Sequence, residues 1–139
     1  MTDGSSAHSA DDLLELMPFS RALGMQLEVA LPVEVTGRLD WSPERCTANG
    51  VMHGGALMAF ADTLGAVCAH LNLPAGATTS TIESKTNFFR AVRAGHVRGT
   101  AVPLHSGRTT IVVHTELRDA AERLVALTIQ TQAVVRPET

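Results

Sequence analysis

The sequence predicts an α+β domain in which a curved antiparallel sheet of about five or six strands wraps around one long central helix. Three observations carry that expectation. Residues 54–71 read as a helix of about five turns, apolar on nearly every side. Several stretches on either side of it alternate with the period of two that marks strands. Glycine at 11 residues and aromatics at 4% suit a compact β-rich domain with an aliphatic core. At 139 residues the chain forms one domain that buries about two-thirds of its unfolded surface.

Residues 1–10 are small and polar, so a disordered tail is expected there, with no apolar run to form a signal peptide. The domain is expected over residues 11–136. Asp11 or Asp12 is placed to cap a short helix, DDLLELM, which Pro18 interrupts and whose leucines would dock on the main body. Gly24 ends that region. Residues 25–31 (MQLEVAL) and 33–41 (VEVTGRLDW) alternate as two strands joined tightly at Pro32. Pro43 and the polar run to Thr47 lead into the loop before the long helix.

After the helix, residues 78–90 (TTSTIESKTNFFR) hold β-branched and aromatic residues in a strand pattern. Three further strands are expected at 97–105, 108–117 and Leu124–Val135, linked by the hinge Ser106-Gly107 and the charged turn RDAAER. Pro103 belongs at a bulge or an edge. In the last strand Val125, Leu127, Ile129, Thr131 and Ala133 face one way, with Thr128, Gln130 and Gln132 opposite. One face packs and the other sees a more polar surround.

The net charge is −3, with ten arginines against the single Lys85, and gives no reason to expect nucleic-acid or membrane binding. Cys46 and Cys68 have neither metal nor redox spacing, which points to two reduced thiols in the cytoplasm. No metal and no resident cofactor is expected.

The chemistry centres on Asp62, the one formal charge between Gly54 and Leu71. A carboxylate on a buried helix is costly unless it is paired, hydrogen-bonded or held there for chemistry. A purely structural Asp62, bonded to a hydroxyl or a backbone amide, is one reading. The helix entry His53-Gly54-Gly55 favours the other. Glycines let a ligand approach the backbone, and the first helical N–H groups are unpaired donors at the positive end of the dipole. That suits an anion, or a carbonyl oxygen becoming one. Gly54 and Asp62 are separated by roughly 12 Å along one helix, too far for one carbonyl to touch both. Two such helices running antiparallel across a two-fold axis would bring Gly54 of one subunit to Asp62 of the other.

Around these residues the chain resembles a known family. The stretch VMHGGALMAFADTLGA, followed by KTNFFRAVRAG and HSGRTTIVVHTELRDAAERLVA, is similar to the hotdog-fold acyl-CoA thioesterases, nearest to the phenylacetyl-CoA and 4-hydroxybenzoyl-CoA branch. The similarity covers about residues 12–135. The resemblance implies a helix held in a curled antiparallel sheet, a homodimer with its sheets paired edge to edge, and often a tetramer made of two dimers. It implies an acyl-coenzyme A substrate rather than a cofactor. The catalytic carboxylate falls on Asp62, the oxyanion-hole amide on Gly54 and the loop histidine on His53. Many relatives carry Asn six residues before that histidine. Thr47 stands there in this chain, and Asn49 is the nearest side-chain amide. Thr81, with Ser80 beside it, is the candidate hydroxyl for positioning water.

The resemblance places the nucleotide end of coenzyme A against the turn Ser106-Gly107-Arg108, with Arg90 on a nearby loop, and guanidinium groups suit its phosphates. His53 has a structural reading, orienting the loop through backbone bonds, that ranks above acid–base work. Met52, Met58, Phe60 and Phe88 are expected to line the acyl pocket. Hydrolysis of an acyl carrier protein thioester is a second enzyme reading, and a non-catalytic acyl-CoA-binding module is the alternative from another class.

Overall fold

A computed structural model describes residues 9–138. Helices α1 (Ala10–Glu15) and α2 (Pro18–Leu23) precede strands β1 (Gln26–Leu31) and β2 (Glu34–Asp40). Two 3-10 turns, Pro43–Arg45 and Ala48–Gly50, lead to α3 (Gly54–Leu71). Then come β3 (Thr78–Phe88), β4 (His96–Ser106), β5 (Thr110–Asp119) and β6 (Leu124–Val135). The six strands form one sheet in the order β1-β2-β4-β5-β6-β3, antiparallel throughout. The sheet curves around α3 as expected, and α3 touches every strand.

The core sits in that hollow. Phe60, Leu64 and Cys68 on α3 are wholly buried against Leu39, Val97, Ala101, Val113 and Leu117 of the sheet. The helix comes close to the sheet at Gly37 and Gly99, directly paired across β2 and β4. A Cβ on Gly99 would stand 2.3 Å from Leu64 Cδ1, and one on Gly37 2.9 Å from Leu64 Cδ2. The glycine pair therefore forms the notch into which α3 seats Leu64 and Phe60. Full burial of each such side chain contributes about 1.5–3 kcal/mol. By length and hydropathy α3 could cross a membrane, but nine of its residues are buried within the fold, as befits a core helix.

Three local expectations change. Neither Asp11 nor Asp12 caps α1. Ser9 does, its hydroxyl accepting the Asp12 N–H while the Asp12 carboxylate accepts the Ser9 N–H. This reciprocal box satisfies two end donors at once, so the helix starts inside the expected tail; residues 1–8 lie outside the described residues. Pro18 opens a second helix rather than only ending the first, because a proline suits a first helical turn, and Gly24 closes α2 in the left-handed conformation. Third, β6 turns Thr128, Gln130 and Gln132 toward α3, each 1% exposed or less, while Ile129 is 41% exposed on the outer face. These polar side chains are tolerated inside because they pair there. Thr128 bonds Thr86, Gln132 bonds Thr79 and Thr81, and Gln130 bonds Asp62. Pro103 does border a bulge in the β4–β5 ladder.

Candidate active site

Gly54, Met58, Asp62, Ala66 and His70 follow one another at intervals of four along α3, and none is buried. Residues so spaced form one slowly drifting ridge of a helix. While most of α3 is enclosed by the sheet, this ridge is its open face.

The start of the ridge is a donor site. His53 is the N-cap of α3, and its Nδ1 accepts the Gly55 N–H at 2.7 Å. The His53 carbonyl accepts from Ala56 at 3.0 Å and Leu57 at 3.1 Å. The Gly54 N–H has no acceptor among the described residues, and the dipole of α3 stands behind it. His53 thus caps α3, with Nδ1 engaged as an acceptor. Beside Gly54 lies a cleft of about 340 Å³ walled by Thr47, Val51, Met52, Phe88 and Arg90 among others. A Cβ on Gly54 would meet Phe88 Cζ at 3.3 Å, so the glycine leaves the amide approachable under that ring.

Two turns on, Asp62 is half-buried. Gln130 Nε2 donates to its Oδ1 at 3.1 Å and, at 3.4 Å, to its backbone carbonyl. Burial holds the Asp62 carboxyl above the ordinary aspartate range, and the Gln130 bond partly offsets that rise. Cys68, on the same helix, is pushed up to about 11 by burial, so its thiol stays protonated and is no nucleophile.

The remaining candidates are distributed unevenly. Asn49 adopts a left-handed backbone (φ +64°), is exposed, and offers its carbonyl to Arg93 at 3.2 Å. It does not wall the Gly54 cleft, whereas Thr47 does. The Thr81 hydroxyl accepts from Gln132 Nε2 at 2.7 Å. On β3, it is thus tied to Gln132, which stands two residues from the partner of Asp62 on the inward row of β6, without bonding Asp62 itself. Arg90 lines the Gly54 cleft. Ser106, Gly107 and Arg108 form the β4–β5 turn, where the Gly107 N–H donates to Thr110 and the Arg108 carbonyl accepts from Arg136. Register places that turn next to the start of β3, since Ser106 pairs with Ile111, Thr110 with Ala133, and Thr78 with Val135. Arg90 follows the far end of β3, roughly 33 Å away at 3.3 Å per residue. Within one chain the two groups do not meet. Of the residues expected around the acyl group, Phe60 belongs to the core, Met58 and Phe88 are exposed, and Met52 floors the Gly54 cleft.

The residue that sequence reasoning missed is Gln130. Its signal was the demand of Asp62 itself, since a carboxylate on an apolar helix needs a polar side chain brought to it.

A curved antiparallel sheet enclosing one long helix is a hotdog fold, here with a free amide at the helix entry and a half-buried carboxylate farther along. The thioesterase superfamily model matches residues 49–126, more than half of the sequence, and the chain belongs to that family. It is a thioester hydrolase. A Vibrio cholerae relative is 42% identical over 87 residues, covering 63% of this chain and 58% of its own length. The 1,4-dihydroxy-2-naphthoyl-CoA hydrolase of Escherichia coli is 33% identical over 86 residues, covering 62% of this chain and 63% of that enzyme. The chain thus spans about three-fifths of both of these relatives. In three dimensions, a thioesterase from Haemophilus influenzae superposes with a TM-score of 0.87 at 25% identity, covering 92% of this chain and 91% of that one.

Proposed function

We propose that the protein hydrolyses an acyl-coenzyme A whose acyl group is aromatic or of medium length, at a site shared by two copies of the chain. The observation that carries this is the open ridge of α3. It presents the unclaimed Gly54 N–H and the half-buried Asp62 on one side of the helix, eight residues and roughly 12 Å apart. Antiparallel pairing of two ridges would set Asp62 against Gly54 of the partner subunit. The thioester oxygen would then take the Gly54 hydrogen bond as its charge develops. Asp62 would act on the carbonyl carbon, either through a water whose proton it removes or by direct attack to give a mixed anhydride.

The free edge of β3 supports the pairing. The strand ends the sheet and is largely exposed, and Ile82 on it is 62% exposed. An unpaired edge of 11 residues is a template for a second strand. Antiparallel β3–β3 pairing would also bring Arg90 of the partner subunit to the end of the sheet where Ser106-Gly107-Arg108 lies, so both could meet one coenzyme A. The outer face of the sheet, where Ile129 stands 41% exposed between Lys85 and His114, offers a surface for two dimers to form a tetramer. The free thiols of Cys46 and Cys68 suit the reducing cytoplasm.

The acyl group has a place to go. One turn beyond Asp62 a cleft of about 210 Å³ opens between α1 and α3, lined by Leu13, Leu16, Met17, Ala66, Val67 and His70. An apolar cavity of about 150 Å³ takes benzene, so this one suits a single ring or a short aliphatic chain. Leu16, 72% exposed at its rim, can be enlarged without disturbing the core. Leu16→Trp is expected to lower kcat/KM for an aryl-acyl-CoA roughly tenfold against acetyl-CoA, the scale on which a pocket reads a few atoms. A thiol-release assay over a panel of acyl-CoAs tests both the reading and this variant. Equal loss on every substrate would remove the cleft from substrate selection. Placing one acyl group on coenzyme A and on acyl carrier protein decides the carrier, and the arginines predict preference for coenzyme A.

Since Asp62 works ionised in either route, kcat/KM is expected to fall on the acid side. The midpoint should lie above the ordinary aspartate value of 3.8, in the direction set by burial. A pH–rate profile with its acid limb at or below that value would contradict the assignment.

A further inference from the structure

Gln130 is 1% exposed, a long amide pressed between β6 and α3. Its Nε2 serves Asp62, at 3.1 Å to the carboxylate and 3.4 Å to the carbonyl. Its Oε1 is buried with no partner among the described residues. That oxygen lies over Gly65, where a Cβ would fall 1.8 Å from Oε1 and 2.5 Å from Cδ. Both choices work against folding. A buried acceptor without a donor forfeits its hydration, and glycine inside a helix is less stable than alanine. An apolar side chain of similar volume would satisfy the packing better. Two adjacent unfavourable residues, on elements far apart in sequence, serve one contact: an amide N–H against one carboxylate oxygen.

We propose that Gln130 is a positioning residue for the reaction, holding Oδ1 of Asp62 so that Oδ2 faces the open ridge, and that Gly65 is the gap in α3 that admits it. The inference rests on the reading that Asp62 carries the chemistry. No charged side chain competes for the contact among the described residues. β6 has no titratable residue, and β3 turns Thr79 and Thr86 inward, with Glu83 and Lys85 in register with outward Thr131 and Ile129. β5 turns Thr115 inward, leaves His114 and Glu116 outside, and ends on a buried Asp119 engaged by Ala121 and Arg123, while β1, β2 and β4 bury only Leu27, Val35, Leu39, Val97, Ala101 and glycine on that side. α2 meets α3 through Ser20 on Thr63, Arg21 pairs with Glu15, and the acids of α1 are exposed. His70 stands eight residues further along α3.

Gln130→Met separates positioning from support. The expected variant is folded, with a thermal midpoint equal to or above that of the parent. Its kcat falls roughly tenfold or more while KM changes little, because misplacing a reacting group slows the step without weakening binding. With the donor gone, the acid limb of the pH–rate profile moves to higher pH. The carboxyl titration of Asp62 followed by carbon NMR moves the same way, a readout that needs no turnover. Gly65→Ala, which displaces the same amide without altering Gln130, is expected to shift the titration in the same direction. An unmoved Asp62 titration in Gln130→Met, or a lowered thermal midpoint with kcat intact, overturns the proposal. Were Asp62→Asn to lose turnover while Gln130→Met left the titration unmoved, only the Gln130 inference would fall. An active Asp62→Asn would remove the reading beneath it.

Discussion

Asp62→Asn is expected to leave a folded protein that no longer hydrolyses thioesters, with kcat down by about 10²–10⁴-fold or more, the range attached to a positioned base. Asparagine keeps the shape of the side chain and can still accept the Gln130 bond through its Oδ1, so the helix and sheet stay in place. What it loses is the charge. Stability should move the other way from activity. The folded-state pKa of Asp62 is raised, so the group favours folding only below its unfolded pKa, and that contribution is lost as pH rises through the folded value. At neutral pH the ionised carboxylate opposes the fold. The Asn variant should therefore melt higher than the parent at pH 7, and the difference should close on acidification. Thermal melts at several pH values check the sign, and a variant that melts lower at pH 7 would mean that Asp62 is a structural group.

Gly54→Pro is expected to cost about 10²–10³-fold in kcat, the effect of removing one oxyanion donor. The substitution is unusually clean here because Gly54 is the first residue of α3, where proline is favoured and the missing N–H breaks no helical bond. The preceding His53 already has the extended backbone (φ −62°, ψ 131°) that a following proline requires. The added atoms press on Phe88, which is 47% exposed and able to yield. Gly54→Ala is the control, since it adds the Cβ and keeps the donor. Comparing kcat of the two variants isolates the hydrogen bond, and equal activities would mean that the thioester oxygen does not sit at this amide.

The long helix, and the two residues on it proposed to carry the chemistry, were legible because their signals are local. An 18-residue apolar run entered through His53-Gly54-Gly55 and broken by one acid can be read without knowing what surrounds it. The strands followed from period-two alternation. What failed was the sense of β6. Thr128, Gln130 and Gln132 look like a solvent face by composition, and they are tolerated inside because each finds a distant partner there, Thr128 and Gln132 on β3 and Gln130 on Asp62, 68 residues before it. No window on the sequence contains both residues. The same holds for the arginines. Arg90 and Arg108 read as one group of phosphate candidates, yet the strand register puts them at opposite ends of the sheet, and only pairing between chains could reunite them. Ser9 went unseen as a cap because two aspartates beside it compete for the same signal.

That the site is shared between subunits is tested most directly by mixing two inactive variants. In a heterodimer of Asp62→Asn with Gly54→Pro, a shared arrangement leaves one site with both groups intact and one with neither. Random re-association then restores about one quarter of the parental sites, because half of the dimers are mixed and each mixed dimer has one good site. Unfolding and refolding the equimolar mixture should thus raise thiol release to roughly that fraction of the parent. If Asp62 and Gly54 act within one chain, every subunit carries a lesion, and the mixture would stay at the mean of its two inactive components.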